Sequence, residues 1–299
     1  MRVLLTGGSG FLGRHVLQSL LACGIDTVAM GRQRLPGSTA VDWIEADLLT
    51  CATVDDLVKA SGATHLLHLA WFTEHGAYWD SPVNMKWVEA STRLVEVFCR
   101  AGGQKVVVAG TCAEYDWQYG TCHEDATPLQ PDRFYGTAKD ATRRLVQAVC
   151  AQYQVPCAWG RVFLPFGAGE DRRRLVPSLI DVFRGKRLPF GINANACRDF
   201  LHALDVASGF VTLLAQTSSG AYNISSGQAV RLADVATELA RLLNASAAPV
   251  LDLAATLPSA PPLLVGDNRK LKALGWQPRL TLSLGLELAT EDQQGALPC

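Results

Sequence analysis

The chain lacks the features that would place it in a membrane, on a nucleic acid or in an oxidising compartment. No apolar run approaches the ~18 residues of a membrane span. At the N-terminus, Val3-Leu4-Leu5 is broken at once by Thr6-Gly7-Gly8-Ser9-Gly10, too soon for the roughly 7–15 apolar residues of a secretory signal. The formal net charge is -1 and there is no basic run or acidic tail, so the electrostatic footprint of nucleic-acid binding is missing. Arg172-Arg173-Arg174 is too short to supply one and reads as a solvated turn. The nine cysteines are odd in number and contain no C-x-x-C pair. That argues against a disulfide framework and against a zinc site, and leaves buried free thiols in a reducing compartment. No metal is expected, and the cytoplasm is the expected location. Neither an internal repeat nor a low-complexity tract is present.

What the chain does have is length and apolar content. Its 299 residues, 48% of them apolar, can bury a large core. The first half alternates short apolar runs with amphipathic stretches. Strands are expected at Arg2–Leu5, Thr27–Met30, Trp43–Ala46, His65–Ala70, Lys105–Ala109 and Cys157–Phe163. Helices are expected at Phe11–Cys23, about Val83–Ala101 and Phe134–Tyr153. Strands joined through single helices need crossover connections, so the expected fold is α/β, a doubly wound parallel Rossmann sheet. After Phe163 the pattern loosens. Helices are expected at Asp205–Ala215, Arg231–Leu243 and near Ser283–Thr290, with residues 249–262 as an extended loop. The expected division is a dinucleotide-binding domain over 1–163, with about 203–218 packing back onto it, and a smaller α+β substrate-binding domain over 164–299.

Thr6-Gly7-Gly8-Ser9-Gly10-Phe11-Leu12-Gly13 lies between the first strand and the first helix. A dinucleotide's diphosphate asks the chain to turn sharply, the backbone to approach closely and the helix to pack on the sheet. Glycine serves all three needs because it has no Cβ, and the helix N-terminus adds free N–H groups. The second strand ends Val28-Ala29-Met30-Gly31-Arg32, without the acidic residue that would hold the ribose hydroxyls of NAD. Arg32 suits a 2′-phosphate, which favours NADP(H), with NAD(H) as the alternative. Arg14 reads as an exposed helix residue that could also reach that phosphate. Asp47 could accept a hydrogen bond from the adenine amino group.

Tyr135-Gly136-Thr137-Ala138-Lys139 sets a phenol and an ammonium one helical turn apart on one face. A free tyrosine ionises near 10, and a neighbouring cation lowers that value, so Tyr135 could exchange a proton with a carbonyl oxygen. Thr111, just past a strand's C-terminal end, could bond the same oxygen.

These motifs recur in one order with His68-Leu69-Ala70, Arg198-Asp199-Phe200-Leu201-His202, Asp205-Val206-Ala207, Asn223-Ile224-Ser225-Ser226-Gly227 and Leu274-Gly275-Trp276-Gln277-Pro278. Together they resemble the extended short-chain dehydrogenase/reductases, the NDP-sugar epimerases, dehydratases and 4-ketoreductases, over nearly the whole chain. The resemblance implies Thr111, Tyr135 and Lys139 as catalytic residues. It implies cofactor contacts from Gly7, Gly10, Phe11, Leu12, Gly13, Asp47, Leu48, Leu69 and Ala70, with Tyr135 and Lys139. It implies a substrate-diphosphate contact from Arg198; Trp71, which follows the fourth strand and otherwise reads as core packing, and Cys112, next to Thr111, are the further candidate substrate contacts. Where the family carries an Asn that helps hold the sugar nucleotide, this chain has Leu164. Where dehydratases carry an Asp-Glu pair after the catalytic hydroxyl, it has Cys112-Ala113, with Glu114 one position too far along. His123 is not placed as an epimerising base. The expectation is an NADPH-dependent 4-ketoreductase of a nucleoside-diphosphate 6-deoxy sugar. The alternatives are a 4-epimerase retaining NAD, a reductase of a non-sugar ketone, and a cofactor-binding sensor or scaffold. A homodimer is expected. His75, Trp79, Trp87, Tyr115, Trp117 and Tyr119 are further candidates for the pocket.

Overall fold

The apolar runs carry no alternation because both of their faces are covered. In the computed structural model, which describes residues 1–35, 37, 41–253 and 261–292, Val3 to Leu5, Val28 to Met30, Leu66, Leu67 and Val106 to Val108 are each 2% exposed or less. Such strands belong inside a parallel sheet with helices on both sides. The strands are β1 (Arg2–Thr6), β2 (Asp26–Gly31), β3 (Asp42–Glu45), β4 (His65–His68), β5 (Lys105–Thr111), β6 (Cys157–Val162) and β7 (Gly220–Ile224). All neighbours are parallel, in the order β7-β6-β5-β4-β1-β2-β3. The order reverses at β1, so a crevice opens at the strand tips there.

Helices α1 (Phe11–Ala22), α2 (Val54–Ser61), α3 (Val83–Arg100), α4 (Phe134–Gln152), α5 (Leu175–Phe183) and α6 (Ala203–Ala215) follow in chain order. Val16, Leu17 and Leu20 of α1 join Val206, Phe210 and Leu213 of α6 on one face of the sheet. Leu94, Val95 and Phe98 of α3 join Val146 and Cys150 of α4 and Val58 of α2 on the other.

Three elements depart from the sequence expectation. Helix α2 carries Asp55 and Asp56 in its first turn and is ended by Gly62 at φ 61°, but its eight residues are too few for a clear period. Helix α5 lies in the stretch expected to be irregular. Its Pro177 sits in the first turn, where no backbone N–H is required. Strand β7 brings the chain back to the sheet edge beside β6, in register from Gly220↔Ala158 to Ile224↔Val162. Within the stretch expected as a loop, Ala248–Leu251 form a short helix and residues 254–260 lie outside those described.

The second half has its own core of Phe166, Leu179, Ile180, Val235, Leu239 and Leu286. Short strands frame it: Leu164–Phe166 pairs with Phe200–His202, and Cys197–Arg198 lies between Val230–Arg231 and Leu263–Gly266. Two recurring motifs act as structural ties here. The Asp199 carboxylate accepts hydrogen bonds from the N–H groups of Ser226, Gly227 and Gly266 and from the Ser226 hydroxyl, at 2.7–3.1 Å. Asp205 accepts from the N–H groups of Arg279 and Leu280, while the Trp276 indole N–H donates to Ser208 Oγ.

Five of the eight described cysteines are buried; Cys51 and Cys197 are half-buried and Cys23 is exposed, against the expectation that all are interior. Among the described residues no helix is long and apolar enough to cross a membrane. Replacing Asp199 by Ala leaves three N–H groups without their acceptor, that of Gly266 in the interior. The variant should lose about 3 kcal/mol of unfolding free energy, read from the urea midpoint. An unchanged midpoint would contradict the tie.

Candidate active site

The first turn has room for backbone only. Gly7 is at φ +76°, and a Cβ there would stand 2.7 Å from the Ala70 nitrogen. A Cβ on Gly13 would stand 1.9 Å from the Gly7 carbonyl oxygen. Gly10 precedes α1 with no side-chain cap, so the first N–H groups of the helix stay open to the cleft. This cradle fits the diphosphate of a dinucleotide. Behind it, buried His68 bonds Thr6 Oγ1 at 2.6 Å and Ser91 Oγ at 2.8 Å. Burial, with a smaller push from Lys139, lowers its value to about 3, so the imidazole is neutral and structural.

Gly7, Gly10, Phe11, Leu12 and Gly13 border one cleft of about 950 Å³ with Leu69 and Ala70. Exposed Arg32, past the tip of β2, and Asp47 and Leu48, past β3, lie at one end of that cleft. Asp47 Oδ1 accepts from the Leu49 N–H at 3.0 Å. Arg14, read from the sequence as exposed, is half-buried, and its guanidinium packs against Gly169. It does not border the cleft, because the 167–170 loop covers that turn of α1.

Thr111, Tyr135 and Lys139 border the same cleft. Thr111 ends β5, and its hydroxyl accepts from the Ala113 N–H at 3.2 Å. Its own N–H donates to Glu114 Oε1 at 2.8 Å, closing a capping box. Glu114, one position too far along to act as a dehydratase base, is fully buried beneath this turn. It accepts from Arg161 Nε at 2.7 Å and Trp159 Nε1 at 2.8 Å. Arg161 also donates to Tyr115 Oη, which donates to Asn223.

Lys139 Nζ donates to the Ala109 carbonyl at 3.0 Å and lies 3.9 Å from the centre of the Trp71 ring. Burial lowers its value to about 7. Tyr135 meets Tyr78 edge-on at 4.9 Å, Trp79 at 5.8 Å and Trp71 at 6.5 Å. Burial first, then Tyr78, pushes its phenol above the ordinary range, with the Thr111 hydroxyl pulling the other way. Desolvation is the largest influence on the phenol, and the Lys139 ammonium is turned to a carbonyl and an indole.

Trp71, Cys112 and Arg198 border the cleft, as do Leu164, His75, Trp79, Trp87 and Trp117. Burial pushes the Cys112 thiol up, so it stays protonated. Three other candidates are elsewhere. Tyr115 is interior, in the Arg161 network. Tyr119 is exposed on the surface. His123 pairs with Asp267 at 3.0 Å in a separate depression. Arg172 and Arg173 are solvated, paired with Asp181 and Asp171, but Arg174 turns into the cleft over Tyr78 at 6.0 Å, against the reading of all three as a solvated turn. Sequence reasoning missed Glu170, which borders the cleft with a carboxyl raised to about 8 by burial. It also missed Asn84, a fully buried polar residue at the start of α3. A polar residue on the apolar stripe of a helix was the available signal for Asn84.

Residues 3–225 match the model of the NAD dependent epimerase/dehydratase family. A trifunctional UDP-glucose 4,6-dehydratase/UDP-4-keto-6-deoxy-D-glucose 3,5-epimerase/UDP-4-keto-L-rhamnose-reductase of Arabidopsis thaliana is 25% identical, covering 95% of this chain and 46% of that protein. The chain thus spans about half of that relative's length. A UDP-glucose 4-epimerase of Azospirillum brasilense is 25% identical over 93% of this chain and 87% of its own. Among solved structures, MoeE5 in complex with UDP-glucose and NAD superposes with a TM-score of 0.84 at 27% identity, covering 100% of both chains. With its seven-stranded Rossmann sheet and glycine turn, the chain belongs to the NAD dependent epimerase/dehydratase family, within the extended short-chain dehydrogenase/reductases.

Proposed function

We propose that this protein is an NADP(H)-dependent reductase of the 4-keto group of a nucleoside-diphosphate 6-deoxy sugar. The observation that carries the reading is that Tyr135, Lys139 and Thr111 border one cleft while Cys112 and Ala113, with no dehydratase acid or base, follow Thr111. A bound nicotinamide supplies hydride to the carbonyl carbon. The chain's residues handle the charge that then builds on oxygen. Thr111 bonds that oxygen, and Tyr135 donates its phenolic proton to it. The phenolate left behind is stabilised by the Lys139 ammonium one turn along α4. A phenol held protonated suits the reductive direction.

Dehydration needs an acid for the leaving hydroxyl and a base for a carbon-bound proton. Cys112 keeps its proton, Ala113 has neither group, and Glu114 is committed to Arg161. For the cofactor, Gly7, Gly10, Phe11, Leu12 and Gly13 suit the diphosphate, Asp47 and Leu48 the adenine, and Leu69, Ala70, Tyr135 and Lys139 the nicotinamide half. Arg32 at the tip of β2, with no acid there, supports a 2′-phosphate and hence a cofactor exchanged at each turnover. Half-buried Arg198 suits the substrate diphosphate, and Trp71 and Cys112 its sugar side. Leu164 and Phe163 give that wall an apolar character that suits a C6 methyl group. Exposed Met85 on α3 and Leu145 on α4 support a homodimer through these helices.

Two measurements test the reading. Purified protein should oxidise NADPH in the presence of NDP-4-keto-6-deoxy sugars, and Tyr135→Phe should lower kcat about 10²–10⁴-fold. Tightly copurified NAD without net oxidation would point to the 4-epimerase. Turnover of non-sugar ketones only would reject the sugar nucleotide, and cofactor binding without turnover would indicate a sensor. Separately, Arg32→Ala should cut kcat/KM for NADPH by roughly 10–150-fold, the equivalent of one hydrogen-bonded charge contact, and leave NADH unaffected. Equal losses with both cofactors would reject the 2′-phosphate role.

A further inference from the structure

We infer that Trp71 is a positioning residue whose indole face, in place of a carboxylate, keeps the Lys139 ammonium fixed and charged. This rests on the reading of Lys139 as the group that stabilises the Tyr135 phenolate. Lys139 is 4% exposed. Of its three N–H donors, one is taken by the Ala109 carbonyl at 3.0 Å, and the ring of Trp71 lies 3.9 Å from the nitrogen. The face of an aromatic ring is electron-rich and attracts a cation most strongly when water is excluded.

The titratable groups around this nitrogen leave the indole without a competitor. Tyr135 on α4 and Tyr78 before α3 are phenols pushed upward by burial, and so is the Cys112 thiol; all three are neutral. His68 at the end of β4 is also neutral. Glu114 is the one anion whose field is felt at Lys139. Its charge is met at 2.7 Å by Arg161, so the pair acts on Lys139 nearly as a dipole. Desolvation pulls Lys139 toward the neutral amine, and the contacting groups that oppose it are the Ala109 carbonyl and the Trp71 ring.

The ring is held in that orientation. Trp71 Nε1 donates to Asn84 Oδ1 at 2.9 Å. Asn84 Nδ2 donates to the carbonyls of Tyr78 at 2.8 Å and Ser81 at 3.0 Å. Trp87 stacks on Trp71 at 5.9 Å. A residue that merely lined a substrate pocket would not need a fully buried amide to fix its plane. Asn84 explains why the indole stays over the ammonium.

The test is a lysine titration on the full chain, read by NMR with ¹³Cε-labelled lysine. The Lys139 signal is assigned by its loss in Lys139→Met. In Trp71→Leu the Lys139 midpoint should fall by about one pH unit, a tenfold change in the protonation equilibrium. Trp71→Phe should fall less, because a ring face remains. Asn84→Ala, which frees the indole without removing it, should also lower the midpoint and guards against misfolding of the leucine variant. Deprotonation removes the stabilising charge, so the alkaline limb of kcat should move down by the same interval, and in Asn84→Ala, which keeps the Trp71 side chain, KM should hold. An unmoved Lys139 midpoint in folded Trp71→Leu and Asn84→Ala would overturn the inference. So would a change confined to KM in Asn84→Ala. Because the titration needs no turnover, failure of the proposed reaction would be visible separately, as wild-type protein without activity but with a Trp71-dependent Lys139 midpoint.

Discussion

The whole arrangement depends on the absence of side chains at two positions in the turn between β1 and α1. With Gly13 packed onto the Gly7 carbonyl and Gly7 against the backbone of Ala70, α1 starts directly over the tips of β1 and β4. That is the point where the strand order reverses. The helix N-terminus, the tip of β2 bearing Arg32 and the tip of β5 bearing Thr111 then open into one cleft. Helix α4 lies across β5 and β6 on the opposite face of the sheet and brings Tyr135 and Lys139 to the same cleft. Two close approaches of backbone to backbone thus decide where a diphosphate can sit, and from there where a reacting carbonyl must lie.

The chain solves a second problem in this cleft, that of keeping charge in a dry place. Glu114 and Arg161 are buried together under the Thr111 turn, and their remaining bonding capacity is absorbed by Trp159, Tyr115 and the Thr111 N–H. A buried ion pair of this kind stabilises little by itself against an apolar replacement, but removing one partner leaves the other uncompensated. Its use here is geometric, since the capping box it completes sets the direction of the Thr111 hydroxyl. Lys139 is handled differently, by a carbonyl and an aromatic face. That leaves the amine free to respond when a negative charge appears on Tyr135.

Much of this was legible in the sequence, for physical reasons that differ from residue to residue. Uninterrupted Val, Leu and Ala runs can only be strands covered on both faces. The glycine turn names its own function because no other residue fits. Tyr135 and Lys139 announce themselves by spacing. Other features were hidden. Strand β7 contains Asn223, an amide that is buried and fully bonded to Tyr115, Cys122 and Asp267, so no apolar pattern marked it. Helix α5 was masked by Pro177, which reads as a breaker unless the helix start is known. Arg174 differs from Arg172 and Arg173 only in the direction its side chain takes once α5 begins. Tyr115 and Tyr119 are four residues apart, yet one is interior and the other solvated, a difference set by the long-range partner Arg161. The surroundings of Tyr135 were hidden for the same reason: a spacing rule sees the cation, whereas the packing of Tyr78 and Trp79 on the phenol is assembled from another part of the chain.

The same Thr, Tyr and Lys can serve reduction, epimerisation and dehydration, so the choice among them must come from their neighbours. At Cys112 and Ala113 this chain offers a thiol that holds its proton and a methyl group, which removes the second acid–base pair that elimination requires. At the tip of β2 it offers Arg32 and no carboxylate, and the proposed use of a phosphorylated, exchangeable cofactor rests on that residue. A cofactor that leaves after each hydride transfer makes net reduction the outcome, and net reduction consumes a proton. A phenol carries that proton at neutral pH. The proposed direction of reaction therefore rests on two separate parts of the cleft, Cys112 and Ala113 beside Thr111 and Arg32 past the tip of β2.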